Sequence, residues 1–297
     1  MGARRTGHTA RVNAREAVER LYGGEVTGVR RAGGAIFLVT LASGEAVIAK
    51  EGVGPGATAA EATGLRWLGE YGDVPTPRVH GHDEQWLVMQ YLPPGAPTVE
   101  AAEEFGRGLA KLHLRGADAY GCPPPGGPVD AWMGVAPMRN EPCPDWPTFY
   151  AEHRVLPYVR DCVDQGLFTT DDAGLFEKLG DRLGELGVPA EPPARIHGDL
   201  WSGNVHWGTD RVWLIDPAAH GGHREADLAM LQLFGTSLLG SILGGYAEGA
   251  EDEGAPLAEG WRDRVPLHQL FPLLMHAAVF GGGYARQALS AARSCLR

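Results

Sequence analysis

Residues 196–204 read Ile196-His197-Gly198-Asp199-Leu200-Trp201-Ser202-Gly203-Asn204, and the chain soon returns to Leu214-Ile215-Asp216. Between them, Val205–Trp207 and Val212–Ile215 have the pattern of two short strands around a Gly208–Asp210 turn. Asp199 and Asn204 then share one loop, five residues apart, and Asp216 ends the returning strand. Three oxygen-bearing side chains are thereby aimed at neighbouring points. Phosphoryl transfer needs such a set: a carboxylate facing the acceptor hydroxyl, and hard oxygen donors holding Mg²⁺ against the phosphates. Singly, Asp199 and Asn204 read equally well as turn formers and Asp216 as a strand cap. Their joint spacing selects the chemical reading. His197 is expected to order the loop through its own hydrogen bonds, and Trp201 belongs either to the core or to the wall of an acceptor pocket.

Upstream, three strand-like runs, Glu25–Arg31, Ala35–Leu41 and Glu45–Lys50, are punctuated by Gly33-Gly34 and Ser43-Gly44, as hairpin turns would be. Lys50 ends the third run. Glu61 follows on a helix over roughly Thr58–Tyr71, in register with Leu65 and Leu68 on the apolar stripe. A carboxylate there is costly without a partner. Pairing with Lys50 supplies one and fixes the lysine near bound phosphates, whereas an exposed first-turn position would leave Glu61 to the helix dipole. Gly33 and Gly34 either bring backbone N–H groups to phosphate or make a plain hairpin turn. Backbone groups of Gln90, Tyr91 and Leu92 are placed to meet a nucleotide base at the junction near residues 90–95. Beyond Pro93-Pro94-Gly95 the pattern turns helical, with Thr98 as an N-cap and helices expected at 147–163, 171–187, 225–240 and 266–290; residues 121–147 read as an irregular connection. A small antiparallel sheet carrying one helix, residues 1–92, therefore precedes a larger helical part, residues 93–297.

The 297 residues are 44% hydrophobic and 21% charged, with formal net charge −11. No dense Lys/Arg run marks a nucleic-acid surface, so small molecules are the expected partners. No apolar run is long enough to span a bilayer, and Met1, Gly2 and Thr6 fit only a loose acylation pattern. Cys122, Cys143, Cys162 and Cys295 lack metal-ligand spacing and are expected to be reduced thiols of a soluble cytoplasmic protein. His197, His206, His220 and His223 cluster late, without the spacing of a zinc site.

His197–Asn204 (HGDLWSGN), Ile215–Ala218 (IDPA) and Gly222–Leu228 (GHREADL), with Asp145–Tyr150 (DWPTFY) and Glu61–Leu68, resemble the fructosamine kinases, or ketosamine 3-kinases. The wider protein-kinase-like superfamily, including aminoglycoside and choline kinases, shares the HGD…N element and the later Asp. The resemblance spans roughly residues 20–290. It implies an α+β, bilobal protein-kinase-like fold, with a small antiparallel-sheet N-lobe and a larger, mainly helical C-lobe. It also implies ATP, Mg²⁺ and phosphorylation of the 3-hydroxyl of small-molecule or protein-bound ketosamines, fructosamine or ribulosamine adducts, in deglycation. By matching motif, Asp199 would be the base, Asn204 and Asp216 the metal ligands, Lys50 with Glu61 the phosphate-positioning pair, and Asp227 a brace for the catalytic loop. The chain departs from the family in a reduced Gly-rich loop, Arg31–Gly34. It departs again at Met275–Val279, where His276 alone remains of an Asn/His-rich acceptor helix. Rival readings are an aminoglycoside- or choline-type phosphotransferase and a nucleotide-binding pseudokinase. The first would want acceptor-site carboxylates such as Glu248, Glu251, Asp252, Glu253 and Glu259, a stretch that otherwise reads as a solvated loop.

Overall fold

Alternation of apolar and polar residues builds the first part of the chain into strands β1 (Val26–Gly33), β2 (Ile36–Leu41) and β3 (Ala46–Glu51), joined by short turns. A computed structural model describes residues 14–297; the acylation pattern at Met1, Gly2 and Thr6 lies outside the described residues. Strands β4 (Val79–His82) and β5 (Trp86–Gln90) complete a five-stranded antiparallel sheet of order β1-β2-β3-β5-β4. Both faces of this sheet are covered. On one, Phe37, Val39, Val47, Ala49, Trp86 and Val88 pack against Ala14, Ala17 and Val18 of helix α1 (residues 14–21). On the other, Leu87 and Met89 meet Ala62 and Leu65 of helix α2 (Ala57–Leu68). That two-sided burial explains why β5 reads as an unbroken apolar run. Arg20 pairs with Asp83 and Arg15 donates to Val26 O, tying α1 to the sheet.

The remainder is mainly helical. Helix α3 (Val99–Leu114) opens on the Thr98 cap, whose Oγ accepts the Ala101 N–H at 3.2 Å. Short α4 (Trp146–Phe149) continues through a π-turn (Tyr150–Val155) into α5 (Leu156–Asp164), and α6 (Thr170–Arg182) follows. After the strand segments come α7 (Arg224–Leu233), α8 (Leu239–Asp252), α9 (Val265–His268), α10 (Leu270–Phe280) and α11 (Gly283–Cys295). Among the described residues no helix is long and apolar enough to cross a membrane.

Several expectations are corrected. The helix expected at 225–240 stops at Leu233, and that expected at 266–290 breaks at Gln269 and again at Gly281-Gly282, both with positive φ. The stretch from Glu248, expected as a solvated loop, begins on a helix: Glu248, Glu251 and Asp252 lie on α8. Four glycines in that helix, Gly240, Gly244, Gly245 and Gly249, lower its intrinsic propensity and conceal it. Close packing on α3 requires two of its contacts to be glycine. A Cβ on Gly245 would sit 2.2 Å from Glu103 O, and one on Gly106 of α3 would sit 2.1 Å from Ile242 O. Residues 121–147 are less irregular than expected, since β6 (Asp130–Met133) and β7 (Ala136–Arg139) form a hairpin there. Its signal is present in the sequence: Ala131, Met133, Ala136 and Met138 are buried while their neighbours along the strands are more exposed. Pro137 and Gly134 mask it.

Candidate active site

Two small antiparallel pairs carry the central motif: β8 (Ala194–Ile196) with β11 (His220–Gly222), and β9 (Val205–Trp207) with β10 (Val212–Leu214). The loop between β8 and β9 holds Asp199 and, on a 3₁₀ turn (Ser202–Asn204), Asn204; Asp216 follows β10. Gly198 makes this loop possible. Its φ is +80°, and a Cβ there would meet Ala218 O at 2.3 Å. Asp216 also adopts a left-handed backbone, φ +52°, a conformation that side chains other than Asn and Asp rarely tolerate. Such strain concentrates at functional sites.

The charged side chains converge. Lys50 Nζ lies 2.7 Å from Glu61 Oε2 and 2.9 Å from Asp216 Oδ1, joining the end of β3, α2 and the segment after β10. Burial disfavours the Lys50 ammonium, but Glu61 and then Asp216 outweigh it and raise its pKa. Burial pushes Glu61 up to about 7 against the pull of Lys50, with Asp216 adding to the rise. The direction that fits the geometry is a charged Lys50 shared by two carboxylates, with Glu61 Oε1 buried and unpartnered. Asn204 donates its Nδ2 to Asp199 O (2.8 Å), Asp199 Oδ2 (3.1 Å) and Asp216 O (3.4 Å). Burial, foremost, lifts Asp199 to about 8, against the Asn204 hydrogen bond and with Asp216 and Asp227 also raising it.

Behind the loop, Asp227 on α7 is 1% exposed and accepts the backbone N–H groups of His197 (2.7 Å) and Gly198 (2.9 Å). His113 Nε2 lies 3.2 Å from the same carboxylate, and its Nδ1 is 2.9 Å from the Tyr246 hydroxyl. This relay from α8 through α3 to the loop escapes sequence reading, since His113 lies far from Asp227 along the chain. Burial alone would raise Asp227, but the hydrogen bond to His113 and the backbone hydrogen bond from His197 help to offset it, and the carboxyl is held low. His197 is itself fixed, with Nε2 2.9 Å from Ile215 O and Nδ1 accepting the Asp199 N–H at 3.2 Å. Asp227→Ala should lower unfolding free energy by on the order of 3 kcal/mol, because charge-assisted bonds to a buried carboxylate are lost. Activity should fall with it. Denaturant unfolding alongside a rate assay checks both, and unchanged stability would remove Asp227 from this role.

A cleft of about 380 Å³ gathers Lys50, Glu61, Asp199, Trp201, Asn204, Asp216 and His276. Trp201 is 38% exposed and belongs to the cleft wall, not the core. Three sequence-predicted contacts stand apart. Gly33 and Gly34 are at the exposed β1–β2 turn, outside the cleft wall, and a Cβ on either would meet nothing within 4 Å. Gln90 gives its N–H to Arg78 O at 2.9 Å, so that group pairs strands instead of facing a base; Tyr91 and Leu92 follow just past the strand. The β6–β7 hairpin, unanticipated, contributes Trp132, Met133 and Val135 to the cleft, and Trp132 Nε1 donates to Pro55 O at 3.0 Å.

The late histidines do not assemble as a group of four. Among the described residues His223, Glu225 and His268 do approach one another. Glu225, however, is held by Arg264 through two hydrogen bonds (2.5 and 2.8 Å), and His223 Nδ1 accepts the Glu225 N–H at 3.2 Å as the cap of α7. His268 Nε2 is 3.2 Å from Glu225 Oε2 but out of line for a hydrogen bond. The arrangement anchors a helix. All four cysteines are free, and burial pushes Cys162 and Cys295 up to about 11, which keeps them thiols.

The fructosamine kinase family model matches residues 50–297. The chain belongs to the fructosamine kinase family. It is accordingly an ATP-dependent kinase acting on ketosamines. A probable ketoamine kinase of Thermus thermophilus is 35% identical over 266 residues, 89% of this chain and 88% of that protein. The probable ketoamine kinase YniA of Escherichia coli is 34% identical, covering 77% and 76%. Among solved structures, a candidate fructosamine-3-kinase from Thermobifida fusca superposes with TM-score 0.87 at 46% identity, covering 95% of this chain and 98% of that one. Choline kinase LicA of Streptococcus pneumoniae, at 15% identity and TM-score 0.63 over 97% and 99% of the two chains, shares the fold. The two-lobed, kinase-like α+β architecture is therefore that of this chain as well.

Proposed function

We propose that this kinase transfers the γ-phosphoryl group of ATP to the 3-hydroxyl of ketosamines, fructosamine or ribulosamine adducts, with residues 1–92 binding nucleotide and 93–297 carrying catalysis and the acceptor. The observation that supports it best is the convergence of Lys50, Glu61, Asp199, Asn204 and Asp216 on one cleft. Asp199 takes the proton of the attacking hydroxyl, and Lys50, steadied by Glu61, positions the phosphates. The donor set fits a hard cation such as Mg²⁺: the Asp216 carboxylate and the Asn204 carbonyl oxygen would hold it, and it would neutralise charge on the phosphates. Asp227 keeps His197 and Gly198, and through them Asp199, in place. Tyr91 and Leu92 are left to meet the base. His276, whose Nδ1 is 2.7 Å from Pro272 O, donates there and so keeps an acceptor nitrogen for the substrate, in the cleft that Trp201 also lines.

Of the carboxylates that an aminoglycoside acceptor would want, Glu248 and Glu253 are engaged elsewhere. Glu248 pairs with Arg107 at 3.0 Å and Glu253 approaches Lys111 at 3.9 Å, both on α3 and outside the cleft wall. A 3-phosphorylated ketosamine has a built-in fate. Enolisation toward carbon 1 makes the phosphate an allylic leaving group; it departs as inorganic phosphate, and water then hydrolyses the resulting carbon–nitrogen double bond, freeing the amine. Incubating fructosyl- and ribulosyl-lysine with enzyme and Mg²⁺-ATP should give a phosphorylated adduct first, then lysine and phosphate, all followed by mass spectrometry. ATP turnover with choline or aminoglycosides and with no ketosamine would overturn the acceptor assignment.

A further inference from the structure

Beyond the reacting cleft, the rim carries aromatic side chains that the phosphoryl-transfer chemistry does not use. Trp201 and Phe234 are each 38% exposed and Phe280 is 65% exposed, unusual for side chains of this size. They are not scattered. Trp201 meets Phe234 edge to face (centroids 6.2 Å, 78°), Phe234 lies 5.1 Å from His276, and His276 lies 5.6 Å from Phe280. Trp201, His276 and Phe280 also line the cleft that holds Asp199. A continuous aromatic ledge thus runs from the phosphoryl-transfer centre outward to solvent.

We propose that this ledge, with Phe234 and Phe280 as its outer part, binds the amine substituent of the acceptor and sets a preference for ketosamines whose substituent is apolar or aromatic. The inference rests on the ketosamine reading and refines it. A ketosamine bound with its sugar hydroxyl at Asp199 must extend its nitrogen and substituent away from the reacting end. Trp201, His276 and Phe280 line the same cleft as Asp199 and offer it a wall along which to run. The acceptor nitrogen is a secondary amine and is protonated near neutrality. Aromatic faces attract such a cation, and they stack on an apolar group attached to it. No carboxylate stands among Trp201, Phe234, His276 and Phe280, so the ledge offers π faces and apolar surface in place of a counter-ion. Because its outer end is open to solvent, a long substituent can continue past Phe280 without a clash.

The test compares fructosyl adducts of methylamine and benzylamine, which share the sugar and the protonated nitrogen and differ only in what the ledge would touch. The wild-type kinase should favour the benzylamine adduct by about tenfold in kcat/KM, mostly through KM. In Phe280→Ala and in Phe234→Ala the ratio between the two adducts, taken within each variant, should collapse toward one; Phe280→Tyr should restore it. Side-chain exposure at both positions favours folded variants, and circular dichroism verifies that. Equal efficiency for the two adducts in the wild type, or an undiminished ratio in both alanine variants, would overturn the ledge. If neither adduct is phosphorylated while another alcohol is, the acceptor assignment itself has failed.

Discussion

Replacing Asp199 by asparagine is expected to lower kcat by about 10²–10⁴-fold, the usual contribution of a general base, with the fold and nucleotide binding close to wild type. Asparagine keeps the volume and can still accept the Asn204 Nδ2 bond that Asp199 Oδ2 accepts at 3.1 Å. What it cannot do is take a proton. Burial, foremost, pushes this carboxyl up to about 8, and it must be deprotonated to act. The kcat/KM of the wild type, which reports the free enzyme, should therefore rise with pH through an acid limb near that value. With nucleotide and cation bound, positive charge beside Asp216 favours the carboxylate, so the limb in kcat should fall lower. Both limbs should vanish in the variant. Linkage gives a second readout. Asp199 has a folded pKa above its unfolded value of about 3.9, so its stabilising contribution is present at low pH and is lost as pH rises through about 8. Asparagine has no such dependence, and the variant should gain stability relative to wild type across that window. A variant retaining more than half the wild-type kcat would remove Asp199 from the base role.

How much of this site can be read from the chain varies with the distance over which each contact acts. Asp199, Asn204 and Asp216 sit within one short loop-and-hairpin, so local spacing alone places them together. Lys50 and Glu61 are legible because a carboxylate on the apolar stripe of α2 demands a partner, and a strand end just upstream supplies one. His113 is not legible. Nothing in the periodicity of α3 distinguishes a buried histidine that braces Asp227 from one that merely fills the core, and its partners lie on α7 and α8. Helix α8 itself is hidden for a related reason. Its glycines lower local helical propensity, and only the close approach of α3, a tertiary contact, makes them favourable. The β6–β7 hairpin shows the same limit on the functional side: its four-residue strands carry too little alternation to outweigh Pro137 and Gly134, yet they bring Trp132, Met133 and Val135 to the cleft. The aromatic rim is half visible. Trp201 and His276 are picked out by motif, while Phe234 and Phe280 join them only when α7, α10 and the catalytic loop are seen side by side.

Asp216→Ala should remove productive nucleotide binding, and its signature should differ from that of the Asp199 variant. Asp216 has two tasks in the proposed site: its carboxylate would hold the cation against the phosphates, and its Oδ1 holds Lys50 at 2.9 Å. Loss of a metal ligand forfeits several kcal/mol of charge stabilisation in the transition state, about three orders of magnitude in kcat/KM. The loss should appear as a higher Mg²⁺ requirement and a higher KM for ATP, neither of which changes when the base alone is removed. Lys50 would remain paired with Glu61 at 2.7 Å, so the lysine itself should stay charged and in place. One complication is backbone strain. At φ +52° alanine is less tolerated than aspartate, at a cost of about 1–2 kcal/mol, and part of any defect would then be structural. Asp216→Asn separates the two effects, because asparagine accepts the left-handed conformation and keeps the size while losing the charge. If Asp216→Asn is as stable as wild type yet shows the same displaced Mg²⁺ dependence as the alanine variant, the defect belongs to the ligand. Should both variants keep wild-type Mg²⁺ dependence and rate, Asp216 is not a metal ligand and the proposed arrangement of the cleft is wrong.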